Sequence, residues 1–424
     1  MTGANARTFV GFGFGAIQAG LFLYEAQQSG AFDRLVVAEV MPEVVHDVRE
    51  AGGFYTVNVA HSDRVEAARV GPVQIENPNE AEDRNRLIAA VAESEELATA
   101  VPSVDFYASP ALGSVHRILA EGLRRKAVQG GPRCVVYTAE NHNRAATVLA
   151  EEVIAAVPAA ERGAVADQVR FVDTVIAKMS GVHENTAGLV PVVPSSNRAY
   201  LVEAFNEILI SCIRFNFDEP FVRGISAFQE KEDLEPFEVA KLYGHNAVHA
   251  LAAYSGMVCG VDRVSELRAL PGMMEMLRHA LVEESGAALM ARFAGVDEFF
   301  TPTGFAAFAD DLLARMVNPY LQDTVERVGR DPARKLAWDD RLIGTMRLCR
   351  EEGIAPRRYA FGAAAALSEL DESGDCALVL PILWQPSNPD KAEEAEMLTL
   401  LEEGQATLAR WRATGFYDVE ALFS

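Results

Sequence analysis

Residues 8–20 read TFVGFGFGAIQAG, and no other run limits the fold as tightly. A short apolar strand leads into a turn dense in glycine, and an apolar helix continues through LFLY. That order of strand, turn and helix is the setting in which a dinucleotide fingerprint has meaning. Glycines there let the backbone bend sharply and approach a pyrophosphate, while the helix N-terminus directs unpaired N–H groups at it. Two registers are open: Gly11-x-Gly13-x-x-Ala16, which obeys the G-x-G-x-x-A rule, and Gly13-x-Gly15-x-x-Gln18, which breaks it at the last position.

The next apolar run, LVVAEV at 35–40, suits a buried parallel strand and ends near Glu39. A carboxylate there accepts from ribose hydroxyls and repels a 2'-phosphate, which favours NAD over NADP. The insert at 26–34 lengthens the usual spacing from glycine turn to acid. Residues 103–113 read as a strand leading into a glycine-containing loop and a helix, and 134–139 (CVVYTA) as a strand running into Glu140-Asn141. Residues 169–175 read as a further strand, and PVVPSSN at 191–197 as a linker. Beyond it, 201–212, the segment around 237–254 and 273–293 all read as helix. The expected fold is therefore an α/β Rossmann-type dinucleotide-binding domain, 1–195, followed by a mostly α-helical substrate and catalytic domain, 196–424.

Length and charge limit the remaining classes. A chain of 424 residues suggests two domains, and a formal net charge of -23 argues against non-specific binding to nucleic acid or to an anionic membrane. An anionic substrate would need a local basic pocket. The five cysteines are scattered without a C-x-x-C pair, and the eight histidines form no H-E-x-x-H pattern, so neither a disulfide framework nor a zinc site is expected. No secretory signal pattern precedes the first strand, and no apolar run reaches about 18 residues. The expectation is a cytoplasmic protein, a monomer or small homo-oligomer, acting on a small molecule.

Chemistry concentrates at 241–249, KLYGHNAVH. Read as a regular helix at about 100° per residue, it places Asn246 about 140° and His249 about 80° round from Lys241, all on one broad face. A lysine with its pKa lowered by burial can take a proton. An amide can donate to a developing alkoxide, and an imidazole can hold a substrate hydroxyl.

The spacing Lys-x4-Asn-x2-His resembles the catalytic helix of the polyol-specific long-chain dehydrogenases, the mannitol dehydrogenase family. The run NPYLQDTVERVGRDPARKL at 318–336 resembles the phosphate-specific branch of that family. The turn FGFGAIQAG is similar to the family's own and favours the second register, with Gly13, Gly15, Ala16 and Ile17 at the cofactor. The resemblance implies an NAD-dependent, metal-independent dehydrogenase that interconverts a polyol phosphate and a ketose phosphate. Lys241 would be the general base, Asn246 and Asn141 would stabilise the alkoxide, and His249 would hold the neighbouring oxygen. Arg327 and Arg330, within the basic stretch 327–341, become candidates for the substrate phosphate, since Arg suits bidentate phosphate binding. Internal pairing of these arginines with Glu326 and Asp331 would remove that seat. One departure stands out: the family signature ending Val-Asp-Arg-Ile has Ala177 and Lys178 in place of its Asp and Arg. Lys178 is kept as a substrate-binding candidate, and the change leaves open an unphosphorylated polyol or sugar acid. A catalytically inactive NAD-binding sensor is the reading from another class.

Overall fold

The computed structural model describes residues 7–184, 188–216, 220–371 and 375–424. The chain divides into two compact units, Met1–Glu235 and Pro236–Ser424.

In the first unit the strands are β1 (Thr8–Phe12), β2 (Arg34–Ala38), β3 (Tyr55–Ala60), β4 (Val65–Val70), β5 (Val73–Glu76) and β6 (Glu96–Thr99). They continue with β7 (Cys134–Thr138), β8 (Val169–Val175), β9 (Ser180–Glu184), β10 (Arg198–Glu203), β11 (Ile208–Ser211) and β12 (Phe228–Lys231). The larger sheet runs β12-β11-β8-β7-β6-β1-β2-β5, and its six strands from β8 to β5 are parallel. That is the dinucleotide-binding strand order, with the crevice for a ligand outside the carboxyl ends where the order reverses, at β1 and β6. A smaller sheet, β4-β3-β10-β9, packs its strands against the first helix. The approach is close at Gly20, where a Cβ would lie 2.5 Å from Val202 Cγ1.

Three expectations change here. The strand read at 103–113 lies earlier, at β6; Ser103 instead caps a 3-10 turn, Val104–Phe106, by accepting from Asp105 N at 3.1 Å. Residues 201–212 are not helix: their apolar residues build β10 and β11, joined by a short link at 204–207. The 191–197 segment is a loop joining antiparallel neighbours β9 and β10, so the division of the chain falls at 235/236 rather than at 195.

The second unit is helical among its described residues. Its centre is the helix Ala247–Cys259, buried from Ala247 to Val248 and again from Ala250 to Gly256. A helix apolar on nearly every side must be enclosed by others. Helix Arg357–Leu370 crosses it so closely that a Cβ at Gly362 would lie 2.5 Å from Leu251 Cδ1. No helix among the described residues is long and apolar enough to cross a membrane.

Candidate active site

The glycine turn follows from its backbone. Gly13 has φ +83, donates its N–H to Ala38 O at 2.9 Å, and could not carry a Cβ, which would lie 2.6 Å from Ala100 O. Gly15 faces open space, with nothing within 4 Å of its missing Cβ. A tight first glycine and an open second one are the features that let a backbone approach a pyrophosphate. The helix that follows begins at Ala16, and Ala19 N is the first to bond back, to Gly15 O at 2.9 Å. The N–H groups of Ala16 and Ile17 therefore lie outside the intrahelical ladder. The second register is the one whose glycines take these positions. Its third position, Gln18, is fully buried, and neither amide atom has a hydrogen-bond partner. Its side chain lies over Gly11, where an added Cβ would overlap it.

Glu39 follows directly on β2, and its carboxylate is already engaged. One oxygen accepts from Phe14 N at 3.0 Å and the other from Met41 N at 2.9 Å, so the acid braces the glycine turn. Each oxygen keeps a lone pair for a further donor. Lys178 lies elsewhere in its chemistry: it is 7% exposed and donates to Glu203 O (2.5 Å), Phe205 O (2.8 Å) and Asn206 Oδ1 (2.8 Å). Three acceptors take all three N–H bonds of an ammonium. Lys178, expected at the substrate, braces the loop 203–206 in this structure. Asn141 is exposed, on the turn between β7 and the helix Ala145–Ala156.

In the second unit the helix bearing Lys241 is not regular. Lys241–Asn246 is a π-helical stretch between the α-helices Glu235–Ala240 and Ala247–Cys259. A π turn bonds residue i to i+5. Lys241 and Asn246 are an i, i+5 pair, so the widened turn brings the ammonium and amide closer to one line than a regular helix would. Burial of the Lys241 ammonium among protein atoms draws its pKa down to about 8, with Arg341 adding to the shift and Glu238 opposing it. Burial takes His249 down to about 4; Asp323 opposes this, and Arg327, Arg341 and Lys335 assist it. The imidazole is therefore neutral at pH 7. His249 Nε2 is buried with no hydrogen-bond partner, 3.7 Å from Asp323 Oδ2.

The segment 339–345 holds the π stretch in place. Tyr243 OH donates to Asp339 O at 3.1 Å, Thr345 Oγ1 donates to Tyr243 O at 3.2 Å, and a Cβ on Gly344 would lie 2.5 Å from Tyr243 Cε1. The basic stretch divides in two. Arg327 is bidentate to Asp323, Nε to Oδ1 at 2.6 Å and Nη2 to Oδ2 at 2.7 Å. Arg330 is exposed and forms no ion pair among the described residues.

Residues 7–220 match the Mannitol dehydrogenase Rossmann domain, and residues 233–398 the Mannitol dehydrogenase C-terminal domain. The chain belongs to the mannitol dehydrogenase family. It is an NAD-dependent dehydrogenase. It is 29% identical over 416 residues to mannitol-1-phosphate 5-dehydrogenase of Pseudarthrobacter chlorophenolicus, covering 98% of this chain and 93% of that protein. It is 30% identical over 357 residues to mannitol-1-phosphate 5-dehydrogenase of Bacillus licheniformis, covering 84% and 86%. A substrate-free D-sorbitol dehydrogenase has the same fold, at a TM-score of 0.73 and 15% identity over 98% of this chain and 97% of that one. So does Pseudomonas fluorescens mannitol 2-dehydrogenase, solved with NAD and D-mannitol, at 0.66 and 14% over 99% and 94%.

This mannitol dehydrogenase family member carries residues that the sequence reading passed over. Asp323, its side chain 4% exposed, stands between His249 and Arg327. Its signal was the Asp–Arg spacing of four. Lys335 is 2% exposed, donates to Arg330 O, and has its pKa brought down to about 8 by burial and by Arg341. Arg341 bonds Asp340 at 2.7 Å through Nε. Both belong to the basic stretch, but sequence alone does not show which of its members are buried.

Proposed function

We propose that this chain interconverts a polyol phosphate and a ketose phosphate, of the mannitol 1-phosphate and fructose 6-phosphate type, with Lys241 as general base. The observation that carries this is the π turn: a lysine whose pKa burial lowers to about 8, an amide five residues on, and a neutral imidazole with an unpartnered Nε2. In oxidation, Lys241 Nζ takes the hydroxyl proton of the carbinol. Asn246 and Asn141 are the amides assigned to the developing alkoxide, and His249 Nε2 to the neighbouring hydroxyl. NAD supplies the acceptor for the hydrogen leaving the carbinol carbon. Gly13, Gly15, Ala16 and Ile17 would hold its pyrophosphate, and Glu39 its ribose through the lone pairs left open. On this reading no metal is needed, because the lysine and the amides handle the proton and the charge.

The test is NADH oxidation with fructose 6-phosphate against free fructose at neutral pH. Turnover of the phosphate, absent in Lys241→Ala, is the expected result; equal rates for variant and parent would overturn the base assignment. The unphosphorylated polyol or sugar acid has a specific observation in its favour: the fork of Arg327 is closed by Asp323. Turnover of free fructose alone would select that reading and leave the arginines to structure. Any turnover excludes the inactive sensor.

A further inference from the structure

Asn141 is exposed, but the residue before it is not. Glu140 is 6% exposed and its carboxylate joins three segments at the carboxyl end of the large sheet. Oε1 accepts from Val101 N at 2.8 Å. Oε2 accepts from Thr99 Oγ1 at 2.9 Å and from the hydroxyl of the fully buried Tyr107. The ends of β6 and β7 and the loop 101–107 are thereby tied to one side chain. Ala139 N adds a bond to Thr99 O at 3.0 Å, and His142 N bonds Glu140 O at 2.7 Å, folding the turn back on itself. On the far side, Asp173 Oδ1 accepts from Ala146 N at 2.8 Å and fixes the start of the following helix. The Asn141 turn is thus pinned at both roots.

A carboxylate fits the clamp as it stands, meeting one N–H and two hydroxyls with two oxygens while all three partners donate. A glutamine would keep the bond to Val101 N only by turning both hydroxyls from donors into acceptors. Burial pushes the Glu140 carboxyl above its ordinary range, with Tyr107, Val101 and Thr99 opposing the shift. Placing a carboxylate in such surroundings is unfavourable unless its donors are all in place. A turn that only needed capping could use a smaller, neutral residue.

We infer that Glu140, seated by Tyr107 and Thr99, is a positioning residue that acts on the reaction through Asn141, by holding the turn so that the amide is fixed before substrate arrives. The inference rests on the proposed role of Asn141. Donors to a developing oxyanion are effective because they are preorganised, and a small misplacement costs about 10²-fold.

A double-mutant cycle tests this, with fructose 6-phosphate and NADH as substrates, or free fructose if that is the ketose reduced. Rates are counted per NADH-binding site, so loss of folded protein does not enter. Glu140→Gln is expected to lower kcat by about 30-fold, with the NADH dissociation constant and KM within about threefold, and to lower it by less than about twofold in an Asn141→Ala background. Tyr107→Phe, which removes one donor, is expected to follow the same pattern with a loss of about fivefold, and carries the test if Glu140→Gln does not fold. A residue that only stabilises the fold would lower the melting temperature and leave kcat per site unchanged. That result, or an equal loss in both backgrounds, overturns the inference. If Asn141→Ala itself leaves kcat unchanged, it is the Asn141 assignment that fails.

Discussion

Two lysines, one buried and one part-buried, have opposite fates. Lys178, in the first unit, reaches three oxygens with three N–H bonds and closes the loop 203–206. Lys241, in the second, sits on a π turn, where burial brings its pKa down to about 8 against the opposing charge of Glu238. Burial alone therefore does not mark a reactive lysine. What separates the two is the balance around the ammonium: three fixed oxygens hold the charge in one case, and in the other desolvation outweighs the opposing carboxylate of Glu238.

The contrast is sharpest in the lysines' own variants. Lys241→Ala is expected to lower kcat by at least about 10³-fold while NADH binding stays within about twofold, checked by steady-state rates and by NADH fluorescence titration. In the parent, polyol oxidation should rise with pH through about 8 as Lys241 loses its proton, and ketose reduction should fall over the same range. A polyol-oxidation profile flat from pH 7 to 9 would break the comparison. Asn246→Ala comes next, with a loss of about 10² in kcat if the amide donates to the reacting oxygen. Arg327→Ala is expected to raise KM for the phosphate by about tenfold, the loss of one charge-assisted contact. It also leaves Asp323 unpaired beside His249, so the His249 imidazole, followed by NMR, should titrate above its starting value of about 4. Lys178→Met is the smallest in rate: kcat per NADH-binding site within about twofold, with stability lower by about 2 kcal/mol because buried acceptors lose their donor. A large loss of kcat per site in that variant would restore Lys178 to the substrate.

The sequence carried the glycine turn and the Lys241, Asn246 and His249 spacing, because residue identity at fixed intervals defines both. It did not carry the π turn. Slipping one hydrogen bond from i+4 to i+5 changes the rotation of a helix without requiring any particular side chain. Residues 201–212 misled because a short apolar run fits a buried strand or a buried helix equally well. Glu326 is adjacent to Arg327 on the helix Val325–Gly329 and does not face it, whereas Asp323, just ahead of that helix, does. Lys178 was legible as a departure from the family signature, but its acceptors come from 203–206, far along the chain.

Gly11 and Gln18 have a bearing on how this sequence can change. The glutamine occupies space that exists because the strand beneath it lacks a side chain, and its amide gains no hydrogen bond in return. The two positions are coupled: a Cβ at Gly11 would press on the far end of the Gln18 side chain, which must shift or be shortened to admit it. A substitution at either position of the cofactor turn therefore changes what the other can carry.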